Sequence, residues 1–368
     1  MNMTSYMPVR LFTGEGCVKA HPEEFQKLGK RPLIVTGRTS AKVSGALDDV
    51  LEALDGAPSV LFDRISQNPL LTDCREAAAL ALANECDYVI GIGGGSPLDA
   101  AKCVAVLAAN PGMTQEELYS LKWPNTPLPI VAVGTSAGTG SEVTKVAVIT
   151  VPGGRKKSMH HVDMFPKAAF GDPAYTLSLS PEFTASTAID AIAHATESYF
   201  SRLANDLSQT YAVKANRLIL PVLEKLLSGD VLTLDDRSLL YHGSIYGGLA
   251  INITGTCLPH AMGYLLTEDY GIPHGNACAV FLPAFIRINR TNVPDLTDRF
   301  FREIGYSDET WLQIVRTLLK DICVTIEEDA IEKAHDRWIN NSSIKKGWGN
   351  IPAEMCDEIL REISKPKI

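Results

Sequence analysis

The sequence predicts two domains: an α/β N-terminal domain, a parallel sheet with helices on both faces, over residues 1–178, and an all-α C-terminal domain over residues 179–368. Three observations lead there. At 368 residues the chain exceeds the size at which a single hydrophobic core usually stops growing. Short β-rich runs alternate with longer helical patterns as far as residue 172, which is the signature of parallel strands joined by crossover helices. Beyond Ser180-Pro181-Glu182, long helical periodicities replace the strand-like runs.

In the first half, Leu33-Ile34-Val35-Thr36 precedes a helical pattern over 41–54, Ser59-Val60-Leu61-Phe62 precedes one over 72–84, and Tyr88-Val89-Ile90-Gly91 precedes one over 97–109. The apolar runs 129–133 and 145–149 add strands, and Ala168-Ala169-Phe170 adds another before Gly171-Asp172-Pro173. Ser180 followed by Pro181 and an acid in the first turn is a strong helix start. Helices are expected over 182–200, 207–228, 235–252, 257–268 and 276–289. The chain shows no low-complexity linker and no repeat at a fixed period.

Apolar residues at 45% against 21% charged give an ordinary globular composition. A net charge of −9 argues against a nucleic-acid partner, which requires clustered Lys and Arg to displace counterions. The short basic run Arg155-Lys156-Lys157 reads either as a solvated loop or as a contact for one small anion. Eight cysteines without a CxxC pair, scattered through apolar segments, read as reduced, buried thiols of a cytoplasmic protein. No run approaches the ~18 apolar residues of a membrane span, and the first residues lack a basic start followed by an apolar stretch. Neither export nor membrane insertion is expected.

Two loops carry the first functional signal. Gly93-Gly94-Gly95-Ser96 follows a strand and opens a helix, so its backbone amides point at an anion on the helix axis, and glycines let a pyrophosphate come close. This is not the GxGxxG fingerprint, and taken alone it is also readable as a structural turn, though its place at a strand's carboxyl end favours ligand binding. A second loop, residues 134–142, also follows a strand and supplies hydroxyls without a Lys after its last Gly, which excludes a Walker A loop. Thr135 and Thr139 are candidates for hydrogen bonds to phosphate or to a nicotinamide amide, and taken alone the loop reads equally as an ordinary turn. Two such loops in one domain favour a dinucleotide. After the first strand of the domain, the segment Thr36-Gly37-Arg38-Thr39-Ser40-Ala41-Lys42 holds no carboxylate to select the ribose 2′-hydroxyl of NAD. Gly37 leaves room, Thr39 and Ser40 offer hydroxyls, and Arg38 and Lys42 offer charge, a set suited to the 2′-phosphate of NADP. A polar helix start with exposed basic residues is the competing reading.

Asp190 and His194 stand four residues apart on one predicted helix face, where both can reach one ion. Two residues are half a site. His260 and His274 lie among apolar and small residues, where an imidazole must find a partner, and each taken alone is also readable as a satisfied buried histidine.

These residues occur in order with Gly93-Gly94-Gly95-Ser96, Asp99, Lys102 and Thr139-Gly140-Ser141-Glu142-Val143-Thr144, followed by Asp190-x3-His194 and His260-x13-His274-Gly275. From residue 8 to at least 290 the chain closely resembles the iron-containing alcohol dehydrogenase family, whose fold is shared with dehydroquinate synthase. The resemblance implies a dinucleotide-binding N-terminal domain and a helical C-terminal domain. It also implies a metal in the cleft, held by Asp190, His194, His260 and His274. The segment 36–42 looks like that of the NADP-using branch, so NADP(H) is expected over NAD(H). Asp99, Ser136, Thr144, Val146 and Lys157 join the candidate cofactor contacts. A homodimer or higher homo-oligomer is the assembly the resemblance implies. One departure stands out: many family members carry a second His four residues after the third ligand, and this chain has Tyr264. A phenol there can relay a proton or simply wall the pocket.

The expected reaction is hydride transfer between NADP(H) and a small primary alcohol or aldehyde, run as aldehyde reduction, with the metal as Lewis acid. Carboxylate and imidazole ligands suit Fe²⁺ first and Zn²⁺ as the alternative. The enzyme rivals are a dehydroquinate synthase-like lyase and a glycerol dehydrogenase-like metalloenzyme. The non-enzyme rival is an NADP-binding sensor or filament subunit.

Overall fold

Runs rich in Val and Ile pair into a six-stranded parallel sheet in the order β1-β8-β5-β4-β2-β3. These strands are β1 (Arg10–Thr13), β2 (Pro32–Gly37), β3 (Val60–Ile65), β4 (Tyr88–Gly93), β5 (Ile130–Gly134) and β8 (Ala168–Gly171). In β4, β5 and β8 every residue is buried, as expected of parallel strands covered on both faces. Successive side chains of a strand enter opposite layers. Leu33, Val35, Val89 and Ile130 join one core with Ala77, Ala101 and Val104, while Ile34, Ile90, Val131 and Val133 join another with Phe25, Val50 and Phe170. The computed structural model describes residues 3–364, and the chain divides into two units, Tyr6–Ser180 with Thr233–Tyr241, and Pro181–Leu232 with the residues from His242 onward.

Three local expectations need correction. The run 145–149 does form a strand, β6 (Val146–Thr150), but it pairs antiparallel with β7 (Lys156–His160) in a sheet of its own. The cause is the turn at Gly153 and Gly154, whose φ values of 95° and 80° suit a hairpin reversal and need glycine. This puts Lys156 and Lys157 on a strand rather than in a loop. The helix expected over 41–54 breaks at Gly45, where φ is 83°, into Ser40–Val43 and Ala46–Ala53. That expected over 276–289 is two helices, His274–Ala279 and Leu282–Asn292, the second started by Pro283, which lacks an amide hydrogen and fits a first turn. Strand β1 escaped prediction because only four residues with exposed ends form it.

The second unit is built of helices, among them Pro181–Tyr199, Asp206–Leu227, Leu258–Tyr270 and Pro294–Ile304. No helix among the described residues is long and apolar enough to cross a membrane. Six of the eight free cysteines are buried, whereas Cys86 is half-buried and Cys323, in the irregular stretch after the helix Asp308–Leu318, is exposed.

Candidate functional site

The two glycine-rich loops lie against each other. Gly94 caps the fifteen-residue helix Gly95–Ala109, so the amides of Gly95 and Ser96 form its open N-terminus. An added Cβ at Gly94 would sit 2.8 Å from Ser136 Oγ, and one at Gly95 would sit 2.5 Å from Thr139 Cγ2. The glycines are therefore required by the second loop as much as by any phosphate. The Thr135 amide donates to Gly93 O at 2.9 Å, and Ser96 Oγ accepts from the Asn68 amide at 3.2 Å.

Beneath them Lys102, fully buried, donates to Ser141 O and Oγ at 2.7 Å, to Val146 O at 2.8 Å and to Thr144 Oγ1 at 3.3 Å. Burial pulls its pKa down to about 8, with Asp99 and Glu142 opposing. Asp99 accepts from Ser141 Oγ at 2.7 Å and from the Val148 amide at 2.8 Å. Asp99, Thr144 and Val146, expected to touch the cofactor, thus turn polar atoms inward and tie the loop and β6 to the helix. The Lys157 ammonium lies over the Tyr119 ring at 4.2 Å, a cation–π contact on the hairpin.

Thr39, Ser40 and Thr135 line one cleft with Val43, Tyr175, Ser178 and Leu179. Lys42 is paired at 2.6 Å with Asp63, so a carboxylate does stand beside the segment 36–42, supplied by β3. Arg38 is exposed and, among the described residues, forms no ion pair. A Cβ at Gly37 would meet only ordinary contacts, the nearest at 3.6 Å. Packing does not demand this glycine.

In the helical unit, Asp190, His194 and Glu197 line one face of the buried stretch of Pro181–Tyr199. His260 opens the helix Leu258–Tyr270, and His274 begins His274–Ala279. Gly275 allows the last of these to approach: a Cβ there would fall 1.9 Å from Ser186 O and 2.9 Å from Asp190 Cβ. Donor atoms of Asp190, His260, His274 and Cys278 all come within 4.8 Å of one another. His194 stands beside them, its ring stacked on that of His260 with centroids 4.5 Å apart. Tyr264 stacks nearly parallel on His274 at 5.7 Å.

Glu197, buried, accepts from the Cys257 amide at 2.6 Å and the His260 amide at 3.4 Å, the first turn of its helix. Its second oxygen meets His260 Nδ1. With Nδ1–H given to Glu197, the Nε2 lone pair faces Asp190 Oδ1 at 3.4 Å. Both atoms are buried without a hydrogen-bond partner. Two such atoms facing each other call for a cation between them, either a proton on Nε2 or a metal ion. Burial opposes the Asp190 charge, yet the His194, His260 and His274 imidazoles hold its carboxyl well below the ordinary range. Burial likewise opposes charge on His260, but Cys278, Glu197 and Asp190 favour its cationic form. The pocket is arranged for positive charge, and this donor set fits a divalent ion.

Glu197 and Cys278 were not anticipated. The signals were spacing: Glu197 is seven residues, two turns, after Asp190, and Cys278 repeats after His274 the four-residue interval of Asp190 and His194.

Comparison with known proteins agrees with this combination of sheet, loops and buried donor cluster. Residues 8–173 match the family model for iron-containing alcohol dehydrogenase, and residues 184–337 match that for the C-terminal part of the Fe-containing alcohol dehydrogenase family. The 1,3-propanediol dehydrogenase of Citrobacter freundii is 34% identical, over 77% of this chain and 74% of its own. A crystal structure of an iron-containing alcohol dehydrogenase superposes with a TM-score of 0.92 at 34% identity, covering 99% of both chains. The sulfoacetaldehyde reductase of Bifidobacterium kashiwanohense, solved with NAD⁺, gives 0.87 at 27% identity over 100% of both chains. Taken with these matches, the fold and buried donors define a nicotinamide-dependent oxidoreductase. The chain belongs to the iron-containing alcohol dehydrogenase family, whose members act on alcohols and aldehydes, and it is an NAD(P)-dependent alcohol dehydrogenase.

Proposed function

We propose that this protein reduces a small aldehyde to a primary alcohol with NADPH, at a metal centre held by Asp190, His194, His260 and His274. The observation that carries the reading is the pair of buried, unpartnered acceptors, Asp190 Oδ1 and His260 Nε2, facing each other at 3.4 Å. When bound, the nicotinamide supplies the hydride and the ion polarises the carbonyl oxygen. Asp190 brings negative charge that the cation neutralises. Glu197 fixes the His260 tautomer so that Nε2 faces inward. The N-terminal amides of Gly95–Ala109 would take the pyrophosphate, and Thr39, Ser40 and Thr135 would contact the adenosine side of the cofactor. Tyr264, stacked flat on His274, acts in this reading as a pocket wall that holds the imidazole plane.

The preference for NADPH rests on Arg38, exposed and without an ion pair, and on the space beside Gly37. Asp63 offsets Lys42 and keeps the preference modest. The experiment is to follow the reduced-nicotinamide absorbance with the Fe²⁺-loaded protein and a panel of small aldehydes, once with NADPH and once with NADH. Aldehyde-dependent loss of absorbance is expected, with the larger kcat/KM for NADPH. Turnover without net absorbance change would point to a lyase and overturn the reaction. Equal kcat/KM values would overturn only the cofactor preference.

A further inference from the structure

Cys278 lies one turn beyond His274 on the helix His274–Ala279 and is fully buried. Its Sγ is 3.7 Å from His274 Nδ1 and 3.9 Å from Nε2. It is also one of the four donor atoms that lie within 4.8 Å of one another, with Asp190, His260 and His274. The two facing acceptors of the pocket, Asp190 Oδ1 and His260 Nε2, belong to side chains only 5% and 3% exposed and have no hydrogen-bond partner.

Distances separate a neighbour from a ligand. Metal–ligand bonds of about 2.0–2.3 Å place adjacent donor atoms roughly 3–4 Å apart. The 3.4 Å between Asp190 Oδ1 and His260 Nε2 falls in that range, and so do the 3.7 Å and 3.9 Å from Cys278 Sγ to His274 Nδ1 and Nε2, of which Nδ1 also lies 3.5 Å from Thr267 Oγ1. Gly263 lets the two helices approach closely enough to enclose the sulfur: a Cβ there would meet Sγ at 2.7 Å and the Cys278 Cα at 2.9 Å.

We propose that Cys278 Sγ is a ligand of the metal, adding a thiolate to the carboxylate and imidazoles of the centre. This rests on the metal-dependent reading above. As the sulfur–metal bond forms, the thiol S–H bond breaks and its proton leaves to solvent, so Cys278 and Asp190 together balance a divalent charge. Thiolate is a soft donor and shifts the centre toward Zn²⁺ relative to an all-nitrogen-and-oxygen set. Choice of metal is thereby written partly at residue 278.

The test uses the whole wild-type protein loaded with Co²⁺ and, separately, with Zn²⁺. A near-ultraviolet thiolate-to-cobalt charge-transfer band is expected, together with a sulfur scatterer at about 2.3 Å from zinc in X-ray absorption. Cys278→Ser should lose the band while still binding cobalt, and Cys356→Ser should keep it. One bound ion per chain with no band and only nitrogen and oxygen scatterers overturns this inference and leaves the metal-dependent reading standing. Failure of the wild type to bind any ion overturns both. The wild-type spectra decide the matter even if Cys278→Ser does not fold.

Discussion

The glycine loops of the α/β unit and the donor pocket of the helical unit solve opposite problems. In the loops the expected ligand groups are backbone amides at a helix N-terminus, and the side chains around them are already satisfied by one another. Lys102, Asp99, Ser141 and Thr144 form a closed hydrogen-bonded set. In the pocket the side chains are themselves the binding groups, and Asp190 Oδ1 and His260 Nε2 face only each other. A site made of amides can stay intact without its ligand. A site made of buried acceptors is frustrated until a cation arrives, so substitutions near the pocket should show in metal affinity before they show in fold.

Among residues outside the ligand set, the largest effect should come from removing the close approach that assembles the pocket. Gly275→Ala places a Cβ 1.9 Å from the Ser186 carbonyl, which is backbone and cannot swing away. Overpacking of this kind costs about 1–3 kcal/mol. Calorimetry should show a lowered Tm, and metal analysis should show a sub-stoichiometric ion. A variant with wild-type Tm and full metal content would mean the helices tolerate separation and the pocket does not depend on their contact.

Glu197→Gln should act more narrowly. The amide of Gln keeps an acceptor for the Cys257 N–H but no longer draws Nδ1–H of His260 with a full charge. Outer partners of metal-bound histidines are worth about 10–100-fold in affinity, so competition with a chelator should report a weakening in that range. An unchanged dissociation constant would reduce Glu197 to a helix cap.

Tyr264→Phe should have the smallest effect, because a wall stacked on His274 needs the ring and not the hydroxyl. General acid catalysis contributes about 10²–10⁴-fold. A fall in kcat of that size, measured with a good aldehyde, would assign the proton to Tyr264 after all.

The contrast between the two regions also explains what could be read from the sequence. Strands β2, β4 and β5 announced themselves because burial on both faces demands continuous apolar runs. Asp190 and His194 were legible because four residues make one helical turn. Chain-local patterns, however, cannot show which distant groups a loop touches. Asp99 and Thr144 sit beside the phosphate loop in sequence yet point into the Lys102 network. Asp63 reaches Lys42 from the neighbouring strand, twenty-one residues away. Cys278 was grouped with the other buried thiols because its nearness to Asp190 and His260 exists only after three helices meet.

The most direct measurement is made on His274→Ala. Metal content, NADPH binding by fluorescence titration, and aldehyde-dependent oxidation of NADPH are determined on the same preparation. If the buried donors serve hydride transfer through a bound ion, metal content and turnover fall together, turnover by about 10³-fold or more, while NADPH binding changes little. Full turnover by a metal-free His274→Ala protein would contradict that account.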